Sequence, residues 1–365
     1  MSISIRLLNG REVAASLSMS RAIELMKEAF VGLSHGDIDV PQRVHLTNPA
    51  GTMLYKPAFM PSRRAMALKA VSVFPGNFER NLPVTTGVLL VNDSETGVPI
   101  GLMDAEYLTG LRTGAAAGLA TGLLADPETE VAALFGTGGQ APFQLAALME
   151  VLPLKRIYVF SKRAERADAF CETEQAQWPG VELVAGTSVD VLRECGVIST
   201  ATTSHTPLFS ASDVTAGAHI NAVGSFRRVM CEIDPALVAA SRVVVDQREA
   251  AMMEAGELVA ARDAGLLPMG FEIEELGELI ATSPCVRMNG KTTLFKSVGN
   301  AAQDIVMRLK SCRLPNEKTS ARCLNFRLPI VLPAFDLSHR LTLARVWIFA
   351  AECRRKSLKA RFLNL

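Results

Sequence analysis

The spacing of hydrophobic residues predicts a helix followed by a block of strands in the first third of the chain. Residues 11–36 carry apolar side chains at helical spacing, including Ile23 and Phe30, and Ser20 is the predicted N-cap. The pattern then changes to short segments rich in Val, Leu and Met, which predict strands at 42–48, 52–60, 66–75, 86–93 and 98–104. We expect these strands to form an antiparallel or mixed sheet.

Helices and strands alternate in the middle of the chain. Small residues dominate segment 106–125, which predicts a closely packed connecting helix that ends before Asp126-Pro127. Apolar segments separated by helical or polar stretches then predict parallel strands at 131–135, 156–161, 181–186, 196–202, 218–225, 242–246 and 292–299. This alternation is typical of a doubly wound α/β sheet, whose ligands bind where the strands end.

A glycine-rich turn joins the first of these parallel strands to a helix, in the segment EVAALFGTGGQAPFQLA at 130–146. Glycine lets a ligand's phosphates approach the backbone, and the following helix directs free N–H groups at an anion. The turn therefore indicates a dinucleotide site, with a plain structural turn as the alternative. The candidate cofactor-binding residues are Gly136, Thr137, Gly138, Gly139, Gln140 and Ala141, with Thr200, Ala201, Thr202, Val223, Gly224 and Ser225 in the loops after later strands.

The end of the second parallel strand bears on which dinucleotide binds. NAD sites usually place an Asp or Glu there, whereas this strand continues into Ser161, Lys162 and Arg163. A hydroxyl and two cations suit a 2′-phosphate, because cationic groups form charge-assisted hydrogen bonds to it. The segment favours NADP(H), with NAD(H) as the alternative; a solvated helix start would explain the same residues without a ligand.

Four cations in the first third of the chain are candidates for binding a substrate carboxylate. Lys69 is the only charged residue of the apolar segment MALKAVSVF, and burying a lysine is costly unless it faces a site or an edge. Arg43, Lys56 and Arg112 are the other three. Together they would bind a small carboxylate, although a surface salt bridge would explain each one alone.

Composition and charge narrow the function classes. The net charge of +1 gives no overall field that would attract nucleic acid, and no apolar run reaches the roughly 18 residues of a membrane helix. The N-terminus lacks the pattern of a signal peptide, and the seven cysteines and five histidines show no metal-site spacing. We expect a soluble cytoplasmic protein without a metal. Segment 311–365 carries a clear excess of Lys and Arg over Asp and Glu, and its part 341–363 has the pattern of a basic amphipathic helix.

Several motifs occur together in an order and at spacings that resemble the ornithine cyclodeaminase/mu-crystallin family. No single motif would be specific, but the combination is. The motifs are Lys69-Ala-Val-Ser-Val-Phe-Pro75 with Asn77, Leu108-Thr-Gly-Leu-Arg-Thr-Gly-Ala-Ala116, Gly136-x-Gly138-x-Gln140-Ala141, His219-Ile-Asn-Ala-Val-Gly-Ser225 and Ser297-Val-Gly-Asn-Ala301-x-Gln303-Asp304.

The resemblance implies a homodimer with a Rossmann fold inserted in an α+β domain for substrate binding and dimerisation. The implied bounds are 1–125 for the substrate domain, completed by a helix at about 299–310, and 126–298 for the NAD(P)-binding domain; residues 311–365 form an atypical basic extension without resemblance to the family. Arg43, Lys69 and Arg112 match the residues that bind the substrate carboxylate. Arg112 and Thr113 match positions near the pyrophosphate, and Val223 to Ser225 match positions near the nicotinamide.

One departure from the family pattern separates the candidate activities. Ornithine cyclodeaminases have an essential Asp where this chain has Phe226. The resemblance therefore favours an NAD(P)H-dependent reductase of cyclic imino acids, in which Arg43, Lys69 and Arg112 act on the substrate and Lys69 supplies the proton. An ornithine cyclodeaminase, an alanine dehydrogenase and a non-catalytic binding protein resembling mu-crystallin remain the alternatives. Ring size, physiological direction and the purpose of segment 311–365 do not follow from the sequence.

Overall fold

The computed structural model describes residues 2–282, 290–311 and 323–327. Ser4–Asn325 forms one compact unit. The second unit comprises Met1–Ile3 and Phe326–Leu365. Of this unit, the structure describes only residues 2–3 and 326–327, which are the ends of two strands. The helix expected at 341–363 lies outside the described residues.

The long helix α3 divides the described residues into two parts. Most strands before it follow one another directly, whereas most of those after it alternate with helices. The strands before it are β1 (Ser2–Leu8), β2 (Val44–Asn48), β3 (Gly51–Met60), β4 (Ala65–Val73), β5 (Thr85–Asp93) and β6 (Pro99–Asp104). Those after it are β7 (Val131–Phe135), β8 (Arg156–Phe160), β9 (Glu182–Ala185), β10 (Val197–Thr200), β11 (His219–Ala222), β12 (Arg242–Val245), β13 (Ile273–Glu275), β14 (Thr293–Lys296) and β15 (Cys323–Arg327). The helices are α1 (Gly10–Ser16), α2 (Met19–Ser34), α3 (Ala105–Leu124), α4 (Ala141–Val151), α5 (Ala164–Gln175), α6 (Pro235–Ala240), α7 (Arg248–Glu254), α8 (Gly256–Asp263), α9 (Leu276–Thr282) and α10 (Ala301–Ser311).

The N-terminal strands form a mixed sheet in the order β1-β6-β5-β4-β3-β2. Strand β1 pairs with β6 in parallel, and the other pairs are antiparallel. Burial alternates along β3, so one face of the sheet is covered and the other is open. Helices α2, α3 and α10 form a core that includes Phe30, Leu108 and Ile305, and α10 contacts β3 and β4. This places α10 against the covered face of the strands that carry Lys56 and Lys69.

The second sheet is entirely parallel, in the order β13-β12-β14-β11-β10-β7-β8-β9. Alternate residues of β7 enter different cores: Ala133 and Phe135 pack on one face, and Ala132 and Leu134 on the other. Strands β8 and β9 extend the sheet in one direction from β7, whereas β10 and β11 extend it in the other. The switch point therefore lies between β7 and β10, where ligands of such sheets bind. The predicted α/β class with a Rossmann sheet is confirmed.

The sequence pattern misplaced some boundaries. Segment 11–36 is not one helix, because Leu17 is extended and separates α1 from α2. Ser18, rather than Ser20, caps α2 by accepting a hydrogen bond from the Arg21 amide. Strands β1, β13 and β15 were not predicted.

Small residues on α3 bring a neighbouring backbone close, as the composition predicted. A Cβ at Gly114 would lie 2.4 Å from the Phe143 carbonyl oxygen of α4, so only glycine permits this contact. None of the helices among the described residues is both long enough and apolar enough to cross a membrane.

Candidate active site

The glycine-rich turn opens the switch point of the parallel sheet. Gly136 has a φ of +105°, and a Cβ there would lie 2.5 Å from the Ala201 carbonyl oxygen, so the turn requires glycine. A Cβ at Gly138 or Gly139 would meet nothing within 4 Å, which leaves open space beside the backbone. The Gln140 side chain makes no cap hydrogen bond to α4. The Ala141 and Phe143 amides of α4 already donate to the Gly138 and Gln140 carbonyl oxygens. The amides that can face an anion are therefore those of residues 137–140, for which the structure describes no hydrogen bond.

The end of β8 lies next to the glycine turn. The Gly136 amide donates to the Phe160 carbonyl oxygen at 2.8 Å, and the Thr137 hydroxyl donates to Ser161 Oγ at 3.3 Å. Lys162 and Arg163 are exposed and form no ion pair with any described carboxylate. The structure therefore brings Ser161 to the turn and leaves both cations accessible to a ligand.

A buried glutamate that the sequence analysis missed connects the loops after β10 and β11. Glu232 is fully buried, and its Oε1 accepts hydrogen bonds from the amide and hydroxyl of Thr202 at 2.6 and 2.8 Å. Its Oε2 accepts from the amides of Gly224 and Ser225 at 2.8 and 3.0 Å. Both loops were predicted to line the ligand site, and Glu232 holds them together. Burial raises its pKa.

The loop after β11 is also supported by a buried ion pair between Lys296 and Glu257. Lys296 donates to Ser225 Oγ at 2.8 Å and forms an ion pair with Glu257 at 2.9 Å, and Ser225 also hydrogen-bonds Glu257. Lys296 and Glu257 are fully buried. Phe226, the next residue, is half-buried in an apolar cluster. No carboxylate side chain therefore stands at the position where cyclodeaminases have theirs.

The substrate-binding candidates Lys56 and Lys69 face the same side of the first sheet. They are direct cross-strand partners on β3 and β4, so both side chains point toward α10. Lys69 is fully buried and forms an ion pair with Asp304 of α10 at 2.7 Å. Its Nζ also donates to Thr109 Oγ1 at 3.3 Å.

Arg112 reaches the same carboxylate from α3. Its Nε lies 3.4 Å from Asp304 Oδ1, and its Nη1 donates to Gln303 Oε1 at 2.5 Å. Gly299 has a φ of +72°, and a Cβ there would lie 2.5 Å from Arg112 Nη1, so glycine makes room for the guanidinium group. Thr113, on the same helix, is buried and donates to the Thr109 carbonyl oxygen at 2.7 Å.

Arg43 and Lys56 meet at the loop before α10. Arg43 Nη1 lies 3.3 Å from the carbonyl oxygens of Val298 and Gly299, and Lys56 Nζ donates to the Gly299 oxygen at 3.4 Å. Arg43 also forms an ion pair with Glu254 of α7 through its Nε and Nη2. Arg43, Lys56, Glu254 and Gly299 line a cavity of about 140 Å³ between α7 and the loop.

Buried Asp246 fixes the loop that carries Gly299. Its Oδ2 accepts hydrogen bonds from Ser297 Oγ and from the amides of Val298 and Gly299, at 2.8, 3.1 and 2.7 Å. Asp246 stands at the end of a strand that the sequence predicted, but nothing in the pattern indicated this role. Gln303 and Asp304 lie in a motif of the family resemblance, which was the available signal for their position.

Burial and crowding of like charges shift the pKa values of the cluster. Burial lowers the pKa of Lys69 to about 8, opposed by Asp304 and reinforced by Arg112. Burial also lowers the pKa of Lys56 well below its ordinary value, reinforced by Arg43, Lys69 and Arg112. For Arg43, burial lowers the pKa to about 10. Burial raises the pKa of Asp304, but Lys69 and Arg112 outweigh this effect and hold it below its ordinary value.

Comparisons with known proteins identify the family of this chain. A profile of the ornithine cyclodeaminase/mu-crystallin family matches residues 6–311. A Delta(1)-pyrroline-2-carboxylate reductase of Bacillus thuringiensis subsp. konkukian is 34% identical over 262 residues, which are 71% of this chain and 80% of the relative.

Two solved structures show the same fold. One is the Thermococcus litoralis Delta(1)-pyrroline-2-carboxylate reductase in complex with NADH and L-proline, with a TM-score of 0.81 and 32% identity, covering 84% of this chain and 96% of that chain. The other is an archaeal alanine dehydrogenase dimer with bound NAD, with a TM-score of 0.83 and 30% identity, covering 89% and 100%. The glycine turn, the buried cations and this similarity together show that the chain belongs to the ornithine cyclodeaminase/mu-crystallin family.

Proposed function

We propose that this protein is an NAD(P)H-dependent reductase of cyclic imino acids such as Δ1-pyrroline-2-carboxylate or Δ1-piperideine-2-carboxylate, which it converts to proline or pipecolate. The observation that carries the proposal is the convergence of four cations, three of them buried, on the loop before α10 and on Asp304. Relatives that reduce such imines cover most of this chain.

The glycine turn supplies the proposed cofactor site. The open backbone at Gly138 and Gly139 and the amides of residues 137–140, which donate no described hydrogen bond, fit a pyrophosphate. Arg112 and Thr113 would lie near the same group, and Val223 to Ser225, held by Glu232, would lie near the nicotinamide. A bound NAD(P)H supplies the hydride that reduces the C=N carbon. Ser161, Lys162 and Arg163 support a preference for NADPH over NADH.

The cations have two tasks in the proposed reaction. Arg43, Lys69 and Arg112 bind the substrate carboxylate and orient the C=N bond, which removes much of the entropic barrier of a bimolecular step, up to roughly 7 to 11 kcal/mol. The imine nitrogen needs a proton as the hydride arrives at carbon. Lys69 is the proposed donor, directly or through water, because its pKa of about 8 is close to neutral pH.

Phe226 argues against cyclodeamination as the main activity. That reaction needs a base for the substrate amines, and the phenyl ring of Phe226 has no basic atom that could accept a proton. Among the described residues, two buried carboxylates contact that loop, and both are already engaged. Glu232 accepts hydrogen bonds from backbone amides, and Glu257 binds Ser225 and Lys296.

The proposal includes a homodimer formed through the open face of the first sheet. Exposed apolar side chains lie there on three strands: Val44 and Leu46 on β2, Met66 and Leu68 on β4, and Val88 on β5. Apolar patches of this kind mark interaction surfaces. The archaeal alanine dehydrogenase of the same fold is a dimer. A cytoplasmic location is part of the proposal, supported by the scattered pattern of cysteines in the sequence.

The test follows loss of nicotinamide absorbance when the full chain is mixed with NADPH and Δ1-piperideine-2-carboxylate. We expect rapid oxidation by the wild type, and a loss of turnover of at least about 100-fold in Lys69→Met, because the general acid is removed. NADPH binding, measured by fluorescence titration, should change little in that variant. Unchanged turnover in Lys69→Met would refute the role of Lys69. A wild type that releases ammonia from L-ornithine but does not oxidise NADPH would refute the reductase itself.

A further inference from the structure

A single carboxylate on α10 binds two of the four cations. Asp304 Oδ1 accepts a hydrogen bond from Lys69 Nζ at 2.7 Å and lies 3.4 Å from Arg112 Nε. Asp304 is 1% exposed and lies in the first turn of α10, where the positive end of the helix dipole favours an ionised carboxylate. Among the described residues, no other carboxylate forms an ion pair with Lys69 or Arg112. Both cations therefore depend on Asp304 for their negative partner.

The surroundings of Lys69 hold three positive charges besides its own. Lys56 is its cross-strand partner on β3, whereas its partner on β5 is uncharged. Arg112 on α3 and Arg43 in the segment before β2 are close enough to oppose the charge of its ammonium group. Burial and like charges both favour the neutral amine, and the Asp304 carboxylate is the group that opposes them. Without Asp304, Lys69 would lose its proton at a lower pH.

Asp304 also fixes the orientation of the Lys69 ammonium group, which has three N–H donors. One donor binds Asp304, and a second donates to Thr109 Oγ1 at 3.3 Å. The third has no acceptor among the described residues. Helix α10 is itself held at its start, because Asn300 Oδ1 accepts hydrogen bonds from two amides of the first turn at 3.1 and 3.3 Å. The ammonium group therefore presents one free proton in a fixed direction.

We propose that Asp304 is a positioning residue of the reductase, which keeps the Lys69 ammonium group charged and aligned so that it can protonate the imine nitrogen. This inference rests on the proposed function and adds the group that makes Lys69 a usable donor. In the reaction, the hydride adds to the C=N carbon, the π electron pair moves to the nitrogen, and the nitrogen takes a proton from Lys69. Lys69 is left as a neutral amine, which solvent reprotonates. Asp304 acts through Lys69 and stays a carboxylate throughout.

The pH dependence of kcat/KM tests this role, because it reports whether the proton donor is charged in the free enzyme. The assay follows NADPH oxidation by the full chain with Δ1-piperideine-2-carboxylate between about pH 5 and about pH 9. Asp304→Asn keeps the shape of the side chain and removes its charge. In this variant we expect the decline of the wild type near pH 8 to begin at least about one pH unit lower. The loss relative to the wild type should then be roughly tenfold larger at about pH 9 than at about pH 6.

Two further variants separate the effect of charge from an effect on folding. Asp304→Ser also removes the charge and leaves room for a water molecule beside the ammonium group, so it replaces Asp304→Asn if that variant does not fold, with the same expected shift. Gln303→Met changes the neighbouring buried residue without changing a charge, and the decline of its kcat/KM should stay near pH 8 at whatever rate remains. NADPH binding, measured by fluorescence titration, shows that each variant is folded.

The outcomes distinguish this inference from the proposed function. A decline that stays near pH 8 in the Asp304 variants, or a loss by the same factor at every pH, would refute the role of Asp304 and leave the reductase standing. A folded Asp304 variant without turnover even at about pH 5 would refute it as well, because Lys69 would be charged there. An equal shift in Gln303→Met would show that the effect does not depend on charge. If the wild type does not oxidise NADPH in the presence of the imine, the proposed function fails and the inference fails with it.

Discussion

At the scale of single residues, the environment of Lys69 predicts how activity depends on pH. Burial lowers its pKa to about 8, so the proton donor is charged below that pH and loses its proton above it. We expect kcat/KM for the imine to be level below about pH 8 and to fall by about tenfold per pH unit above it. Steady-state rates at saturating NADPH measure this profile, with NADPH binding followed over the same range as the control. A rate that stays level well above pH 8 would exclude Lys69 as the donor.

The residue scale also shows where sequence reasoning stops. Lys69 was recognised from the sequence because a charge interrupts an apolar strand, and its burial agrees with that reasoning. Glu232, Asp246 and Glu254 gave no such signal, because a carboxylate is ordinary in a loop, at the end of a strand and in a helix, where these three lie. Their importance comes from partners that are distant in sequence, such as Gly299 for Asp246 and Arg43 for Glu254.

At the scale of elements, the turn between β8 and α5 bears on cofactor choice. Arg163 precedes α5 and is exposed without a described ion pair, so its guanidinium group is accessible to a 2′-phosphate. We expect Arg163→Ala to weaken NADPH binding by roughly 10- to 100-fold, because a charge-assisted hydrogen bond is lost. NADH is the internal control, since it lacks the phosphate and should lose little. Equal losses for both nucleotides, measured by fluorescence titration, would remove Arg163 from the site.

Strand and helix order was largely predictable, whereas boundaries and short elements were not. The strongly apolar segments of β7, β10, β11 and β12 were found because a central parallel strand is buried on both faces. Strand β13 was not predicted because it has only 3 residues, two of them glutamates. The division of the first helical segment depends on the Asn9 and Ser18 caps, which local polar bonds decide.

At the scale of the whole molecule, the open apolar face of the first sheet predicts the oligomeric state. Leu68 is 37% exposed at the centre of that face, and a charge there would oppose burial between two copies. We expect a dimer by sedimentation or light scattering, and Leu68→Glu should shift it toward monomer at micromolar concentration. Leu266→Glu is the matched control, because Leu266 is 43% exposed but lies outside that sheet. A monomeric wild type, or a dimer that Leu68→Glu does not weaken, would contradict the homodimer.

The sequence alone determined the alternating order of strands and helices, the glycine turn and the identity of the cations, because these follow from local periodicity and from residue chemistry. Only the tertiary structure decided which cations share a cavity. Lys56 and Lys69 are neighbours across β3 and β4, yet Lys69 turns to Asp304 whereas Lys56 lines the space beside Arg43. Asp304 and the Gly299 carbonyl come from a helix and a loop near the far end of the described chain, and no local spacing records which of them a side chain reaches.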